Sequence, residues 1–361
     1  MNFKKIMRKI HLWLALPSAI VLFIVFITGS LFTYTDELLE VFHRPYSQVA
    51  VGETKIPVED IVKGIQSAYP KEKVASLVAY NEPDKSYRFL LFSKENGIRN
   101  VFANPYTGAI LGESRAHQFF YSLAHLHGEL LLGETGGWIV KIATIIMLFL
   151  IVSGIVLWLP KKITSKNWVN YFTFGHKHTY KRIAFDHHRV LGFYFAGLLL
   201  LLVLTGIVMA FKPLSTSVAV AMGGGKSTVV SDSIQSDKRE PLLNVIEKIN
   251  KQGNVKEMRI ALLSREDNGL VKVAAGKEIG ILTFNGDVYF VDRVTGELVK
   301  NDVEKANAKA ENLMMSLHTG NWGGWFGKLT TCLSGLIGAY LIVTGLVIWW
   351  NKQFRKKSSR N

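Results

Sequence analysis

The sequence predicts a membrane bundle of four α-helices that carries α+β segments on one side of the bilayer, built as one helix, outer segment, helix unit made twice. Three observations lead there. Apolar residues gather into four long runs, basic residues gather at one end of those runs, and both helices and outer segments recur along the chain. Of the 361 residues 48% are hydrophobic, and the runs cover residues 12–34, 138–159, 190–211 and 325–350. Each is long enough to span, since a helix needs roughly 20 apolar residues to cross a bilayer. The first run follows "MNFKKIMRKIH", a basic start like that of a signal peptide. It is longer than the usual apolar segment of roughly 7 to 15 residues and no A-x-A cleavage site follows, so it reads as a retained helix.

Charge then orients the bundle. Residues 1–11 carry four Lys/Arg and no acid, residues 160–189 carry seven against Asp186, and residues 351–361 carry five and no acid. These segments hold the whole net charge of +15. Positive residues concentrate on the cytoplasmic side of a bacterial inner membrane, which places both termini and the 160–189 loop there and the outer segments in the periplasm. Because the basic clusters flank spans, the partner they imply is anionic membrane lipid and not nucleic acid. The single cysteine, Cys332, rules out an internal disulfide, a thiolate iron–sulfur cluster and a multi-cysteine zinc site.

The first and third runs match at a shift of 177, with His11 over His188 and Thr28-Gly29 over Thr205-Gly206. In the second and fourth, "SGIVLW" (153–158) lies over "TGLVIW" (344–349) and "GGW" over "GGW", with a slip of four residues between those anchors. The outer segments recur too. "VEDIVKGIQSAYP" (58–70) and "PLLNVIEKINKQG" (241–253) have apolar residues at helical spacing, and each precedes strand-like runs that end in a Thr-Gly turn, Thr107-Gly108 and Thr295-Gly296. Recurrence at this scale implies two copies of one unit packed about a pseudo-symmetry axis.

The outer segments ending in "NPYTGAILGE" and "VDRVTGELV" resemble PepSY domains. With "IHLWLAL", "HHRVLGF", "HLHG…GGW…SGIVLWLP" and "LHTG…GGW…TGLVIWW", nearly the whole chain resembles the PepSY-associated transmembrane family, which includes FoxB-type ferrisiderophore reductases. The resemblance implies a helix with cytoplasmic N-terminus at 1–36, an outer PepSY-like module at 37–120 and a second helix at 121–160. A basic cytoplasmic loop at 161–187, a third helix at 188–212, a second module at 213–312, a fourth helix at 313–350 and a basic tail at 351–361 complete the plan.

Of ten histidines, four stand at recurring positions: His11 and His188 at the cytoplasmic ends of the first and third spans, His127 and His318 at the outer ends of the second and fourth. A polar ring is costly in a span unless something engages it. Two opposed imidazoles from facing helices are what a bis-histidine haem b requires, and two such pairs imply two haems b, one near each membrane face. His125 and His187 adjoin the chosen residues and remain alternates. His127 precedes Trp138 by 11 residues, about 16 Å of helix, so either the second helix rises above the bilayer or glycines 133, 136 and 137 break it. The expected function is an inner-membrane oxidoreductase that passes electrons outward. The family resemblance suggests an extracytoplasmic ferric siderophore as acceptor, with quinol or a cytoplasmic reductase as donor. The alternatives are a peptide-binding or protease-binding regulator and a haem-handling transporter.

Other signals are weaker. "MGGGKSTVV" (222–230) has Val220 where a phosphate-binding loop requires glycine and reads as an outer linker. His176 and His178 belong to a solvated basic loop, and His43 and His117 lie outside with no counterpart. Trp158, Trp349 and Trp350 read as boundary anchors. Gly154, Gly206, Gly335, Gly338 and Gly345 allow either close helix contact or room for a porphyrin.

Overall fold

A computed structural model describes residues 3–160, 169, 171–175, 179–226, 240–253, 255–262 and 270–358. The loop histidines His176 and His178 and residues 227–230 of the glycine-rich linker fall outside the described residues. The chain forms two compact units: residues 1–34, 122–212 and 314–361, and residues 35–121 and 213–313.

The first unit is helical. Its long helices are α1 (Phe3–Phe32), α5 (Gly133–Trp158), α6 (Tyr180–Ala210) and α10 (Gly324–Ser358), and four stretches are long and apolar enough to cross a membrane. Helix α1 packs against α5 and α10, and α6 packs against the same two, so α1 and α6 stand on one diagonal of a square and α5 and α10 on the other. Leu22, Phe26, Met147, Leu150, Leu199 and Val203 fill the middle. Apolar residues on the outer surface, such as Trp13 (72% exposed) and Ile20 (77%), face what in a membrane is lipid. Close approach of α1 and α10 depends on two glycines. A Cβ on Gly335 would stand 2.2 Å from Ser30 Oγ, and one on Gly338 would stand 2.8 Å from the Phe26 ring. Trp158 stacks on Phe193 with ring centres 3.8 Å apart and donates from Nε1 to the Tyr171 carbonyl at 3.2 Å.

In the second unit the two outer segments form one sheet. Helix α3 (Val58–Ala68) leads into β1 (Lys73–Tyr80), β2 (Tyr87–Ser93), β3 (Gly97–Ala103) and β4 (Ile110–Ser114). Helix α8 (Leu242–Asn250) leads into β5 (Glu257–Ala261), β6 (Leu270–Ile279), β7 (Phe284–Asp292) and β8 (Leu298–Lys300). The antiparallel order is β4-β3-β2-β1-β5-β6-β7-β8, so the two segments join through β1 and β5 rather than standing as separate modules. Alternation sends Leu77, Phe89, Val101, Met258, Val273 and Val291 to one face, where α3 and α8 cover them. Both Thr-Gly turns form alike. Asn104 Oδ1 and Asp292 Oδ1 each accept from the two backbone N–H groups two and three residues on, and Gly108 and Gly296 take φ of +74° and +70°. An open groove of about 600 Å³ is lined by Glu40, Tyr80, Lys85, Lys256, Glu257 and Lys277 among others. The linker is held where described: Asn307 bonds both the N–H and the C=O of Gly225 at 2.9 Å.

Two histidines without counterparts are packed into this unit. His43, at the end of α2 (Thr35–His43), lies 5.1 Å from the Phe102 ring, and its pKa is lowered to about 3 by burial, then by Arg88 and His117. His117 is lowered to about 4 by burial, then by Arg88 and Arg259. Between about pH 6.5 and 4 the unfolded chain therefore binds more protons than the folded one, and stability falls as pH falls through that window. Amide protection in β1, β2 and β3, measured by hydrogen exchange, should hold above pH 6.5 and decline toward pH 4. A His43→Gln/His117→Gln chain should lose less of it.

Candidate functional site

The helical unit brings four histidines together in two pairs. His11 on α1 and His188 on α6 face each other across one diagonal, with ring centroids 6.4 Å apart and planes at 84°. His127, in the last turn of α4 (Ala116–Glu129), and His318, in the last turn of α9 (Asp302–Thr319), pair at 6.2 Å and 66°. His127 lies against Gly29 of α1 and His318 against Gly206 of α6. Those positions are 18 residues along the same helices from His11 and His188, so the two pairs sit about 27 Å apart along the bundle at 1.5 Å per residue.

Each ring is held by the same device on the neighbouring helix. His11 Nδ1 lies 2.8 Å from Ser153 Oγ, His188 Nδ1 3.1 Å from Thr344 Oγ1, His127 Nδ1 3.2 Å from Thr28 Oγ1, and His318 Nδ1 2.9 Å from Thr205 Oγ1. Each hydroxyl donates to the carbonyl four residues back, of Phe149, Tyr340, Ile24 and Leu201. The Nδ1 atoms of His127 and His188 also meet a helix carbonyl, Val25 at 2.9 Å and Leu341 at 3.0 Å, and the equivalent carbonyls of Leu150 and Leu202 lie beside His11 and His318. A glycine follows every one of these hydroxyl residues. A Cβ added to Gly29, Gly206, Gly345 or Gly154 would stand 2.8, 3.3, 3.3 or 3.7 Å from Cε1 of the facing ring.

Carbonyl oxygens only accept, and each hydroxyl has spent its proton on its own helix, so Nδ1 of all four rings carries the hydrogen. Nε2 is then left with a free lone pair, and among the described residues none of the four donates to it or accepts from it. This is the tautomer of a metal-binding imidazole whose outer nitrogen is fixed by a hydrogen bond. A metal about 2.0–2.1 Å from one nitrogen of each ring, with each ring centre about 1.1 Å farther, places the centres about 6.3 Å apart across a linear N–metal–N unit. The observed spacings bracket that value. Among the described residues no group of three or more His, Cys, Asp or Glu could hold a metal ion. Two facing imidazoles are what a centre that brings its remaining ligands with it would need.

The alternates face elsewhere. His125 pairs with Glu129 on its own helix, and His187 Nδ1 lies 2.6 Å from Tyr340 Oη with Phe174 edge-on. Beside His188, Asp186 pairs with Arg182 at 2.8 Å and Arg189 at 3.3 Å and so secures the start of α6. Of the two ways to accommodate His127, the chain breaks. Leu130 and Leu131 adopt φ of +53° and +58°, Gly133 +59°, and α5 restarts there. Gly136 then lies so close to the Glu129 carbonyl that a Cβ would stand 1.7 Å from it, and Gly327 meets the Gly320 carbonyl in the same way at 2.1 Å.

These contacts correct the register of the second and fourth spans. His127 to His318, Glu129 to Gly320, Gly136 to Gly327 and Ser153 to Thr344 are all 191 positions, so no slip exists. The Gly-Gly-Trp match, offset by 187, is a likeness of composition only. The hydroxyl residues Thr28, Ser153, Thr205 and Thr344 were legible as a Ser/Thr-Gly pair in each of the four spans.

The family model for the PepSY-associated TM region matches residues 8–352. The chain belongs to that family. No curated protein matches it. Within this PepSY-associated chain the histidine pairs, the hydroxyl residues and the glycines all lie in the matched region.

Gly29 is the tightest of the four glycine contacts, which makes it the most sensitive. Gly29→Ala should lower the melting temperature of the purified protein through overpacking worth about 1–3 kcal/mol. Gly154→Ala, whose Cβ would stand 3.7 Å from the His11 ring at ordinary van der Waals contact, should leave it unchanged or raise it.

Proposed function

We propose that the chain is an inner-membrane di-haem b oxidoreductase that moves electrons across the bilayer and reduces an extracytoplasmic ferric siderophore. The observation that carries this reading is the fourfold device: two imidazole pairs spaced for a linear N–metal–N unit, each ring with Nδ1 anchored and Nε2 free. Haem b, held between the paired imidazoles, would supply single-electron exchange.

The chain's residues divide the remaining work. His11 and His188 would hold the inner haem and His127 and His318 the outer one. Ser153, Thr344, Thr28 and Thr205 orient the rings and raise their basicity. The acceptor reaction is the gain of one electron by iron(III) in the complex, giving iron(II) and the intact siderophore; iron(II) is held less strongly by hard oxygen donors and is released for uptake. The electron comes from quinol or a cytoplasmic reductase. The groove lined by Lys85, Lys256, Lys277 and several glutamates offers polar contacts of both signs to such a complex. Recurrence of the same contacts at offsets of 177 and 191 supports a duplicated unit, and the basic segments support cytoplasmic termini with the PepSY segments in the periplasm.

The detergent-purified protein, grown with ample haem supply, should show two low-spin b-type haems per chain, and their dithionite-reduced bands should bleach when a ferric siderophore is added. A colourless protein would end this reading and favour a PepSY binding or regulatory role. His11→Ala and His318→Ala should each remove one haem; retention of both, still low-spin, would refute the ligand assignment.

Thr205→Val should weaken retention of one haem about 10- to 100-fold and shift its midpoint potential, and Thr205→Ser should restore both. A change in stability with no change in potential would give Thr205 a packing role only.

A further inference from the structure

The sheet face opposite α3 and α8 is basic at its middle. Arg88 on β2 and Arg259 on β5 both stand opposite Val78, one on either side. Paired residues share a face, so the two arginines project from the same side about 9.6 Å apart, two strand spacings. Phe102 extends the row beyond Arg88, His43 packs on Phe102, and Asn100 Nδ2 lies 3.5 Å from His43 Nε2. His117 lies within electrostatic reach of both arginines.

The unit treats its arginines unequally. Arg99 pairs with Glu72 at 2.9 Å and with Glu113 at 2.6 Å, and Arg293 pairs with Glu59 at 2.7 Å. Arg259 donates to the Ile279 and Gly280 carbonyls at 3.0 and 3.4 Å and lies near Asp36 and Glu257. Those two carboxylates are already engaged, Asp36 by the N–H groups of Ile281 and Leu282 and Glu257 by that of Ile279. Arg88 has no carboxylate partner among the described residues. Its Nε is shut off from solvent without a hydrogen bond, as is that of the carboxylate-paired Arg99, and so is His117 Nδ1. A cation with one buried N–H left unsatisfied and no carboxylate beside it is stabilised when an anion meets it.

We infer that Arg88 and His117 form a binding site for an oxyanion, the carboxylate or phosphate group of a ligand that reaches the outer unit, with Arg259 adding positive field. A guanidinium fork matches either group with two parallel hydrogen bonds. A neutral His117 can donate a further one from Nδ1. The site lies wholly within residues 35–121 and 213–313, and it depends on neither haem nor electron transfer.

The test uses the full chain in detergent, exchanged free of lipid and held in chloride at pH 7.5 and constant ionic strength. Sodium phosphate, citrate and phosphatidylglycerol are added separately while thermal unfolding and amide protection of β1, β2 and β5 are followed. At least one should raise the melting temperature by about 2–4 °C with saturation. Phosphate or citrate succeeding marks a soluble ligand, and phosphatidylglycerol alone marks a lipid headgroup. Arg88→Met should melt above the wild type without anion, because an unpaired charge is gone, and should lose the response; Arg88→Lys should respond more weakly. An equal rise in wild type and Arg88→Met, as general exclusion of kosmotropic anions from the protein surface would give, overturns the site. So does the absence of a saturating response to all three probes.

Discussion

The structure depends on one contact made four times: a histidine Nδ1–H given to a Ser/Thr hydroxyl and a helix carbonyl on the adjacent helix, over a glycine. A polar ring inside an apolar bundle is tolerated only when its donor is satisfied. Satisfying it from the neighbour fixes the rotation and height of both helices at once, because the ring must meet a hydroxyl and a glycine that are consecutive in sequence. The apolar middle of Leu22, Phe26, Met147 and Leu199 fills the space between levels that the histidines define. Helices α1 and α6 serve twice in this scheme, each carrying a ring near its start and a Ser/Thr-Gly acceptor 17 residues later.

Much of this was legible in the sequence. Four apolar runs and an offset of 177 are enough to define the bundle and to align His11 with His188, because continuous helices preserve spacing. The second and fourth spans misled for a physical reason. Between the histidine and the span the chain turns a corner, and glycines cluster at corners, so a Gly-Gly-Trp match arises there without structural equivalence. The hydroxyl residues were visible only as alignment anchors, since a Ser or Thr inside an apolar run more often bonds its own helix than serves a partner. Here Thr28, Ser153, Thr205 and Thr344 do both. The joining of the outer segments through β1 and β5 had no local signal, because strand partners distant in sequence leave no periodicity to read.

The two pairs are not built alike, and that difference bears on what each can do. His11 and His188 sit well inside the long helices α1 and α6, away from the helix ends, although Pro17 removes one bond from the α1 ladder. His127 and His318 sit in the last turns of α4 and α9, just before left-handed residues: Leu130 and Leu131 on one side, Gly320 on the other. For a leucine that conformation costs about 1–2 kcal/mol, and it persists because the corner is over-determined, with Gly136 and Gly327 folded against the carbonyls of Glu129 and Gly320. Inner-pair geometry therefore follows from bundle packing alone. Outer-pair geometry follows from bundle packing and from two tight corners, one strained at Leu130 and Leu131 and one made of glycine, so a change at Gly136 or Gly327 acts on His127 or His318 without touching either ring. Under the proposed electron-transfer role, such asymmetry would let the two pairs meet different partners: one pair fixed by the scaffold, the other adjusted by a corner that varies independently of the helices it joins.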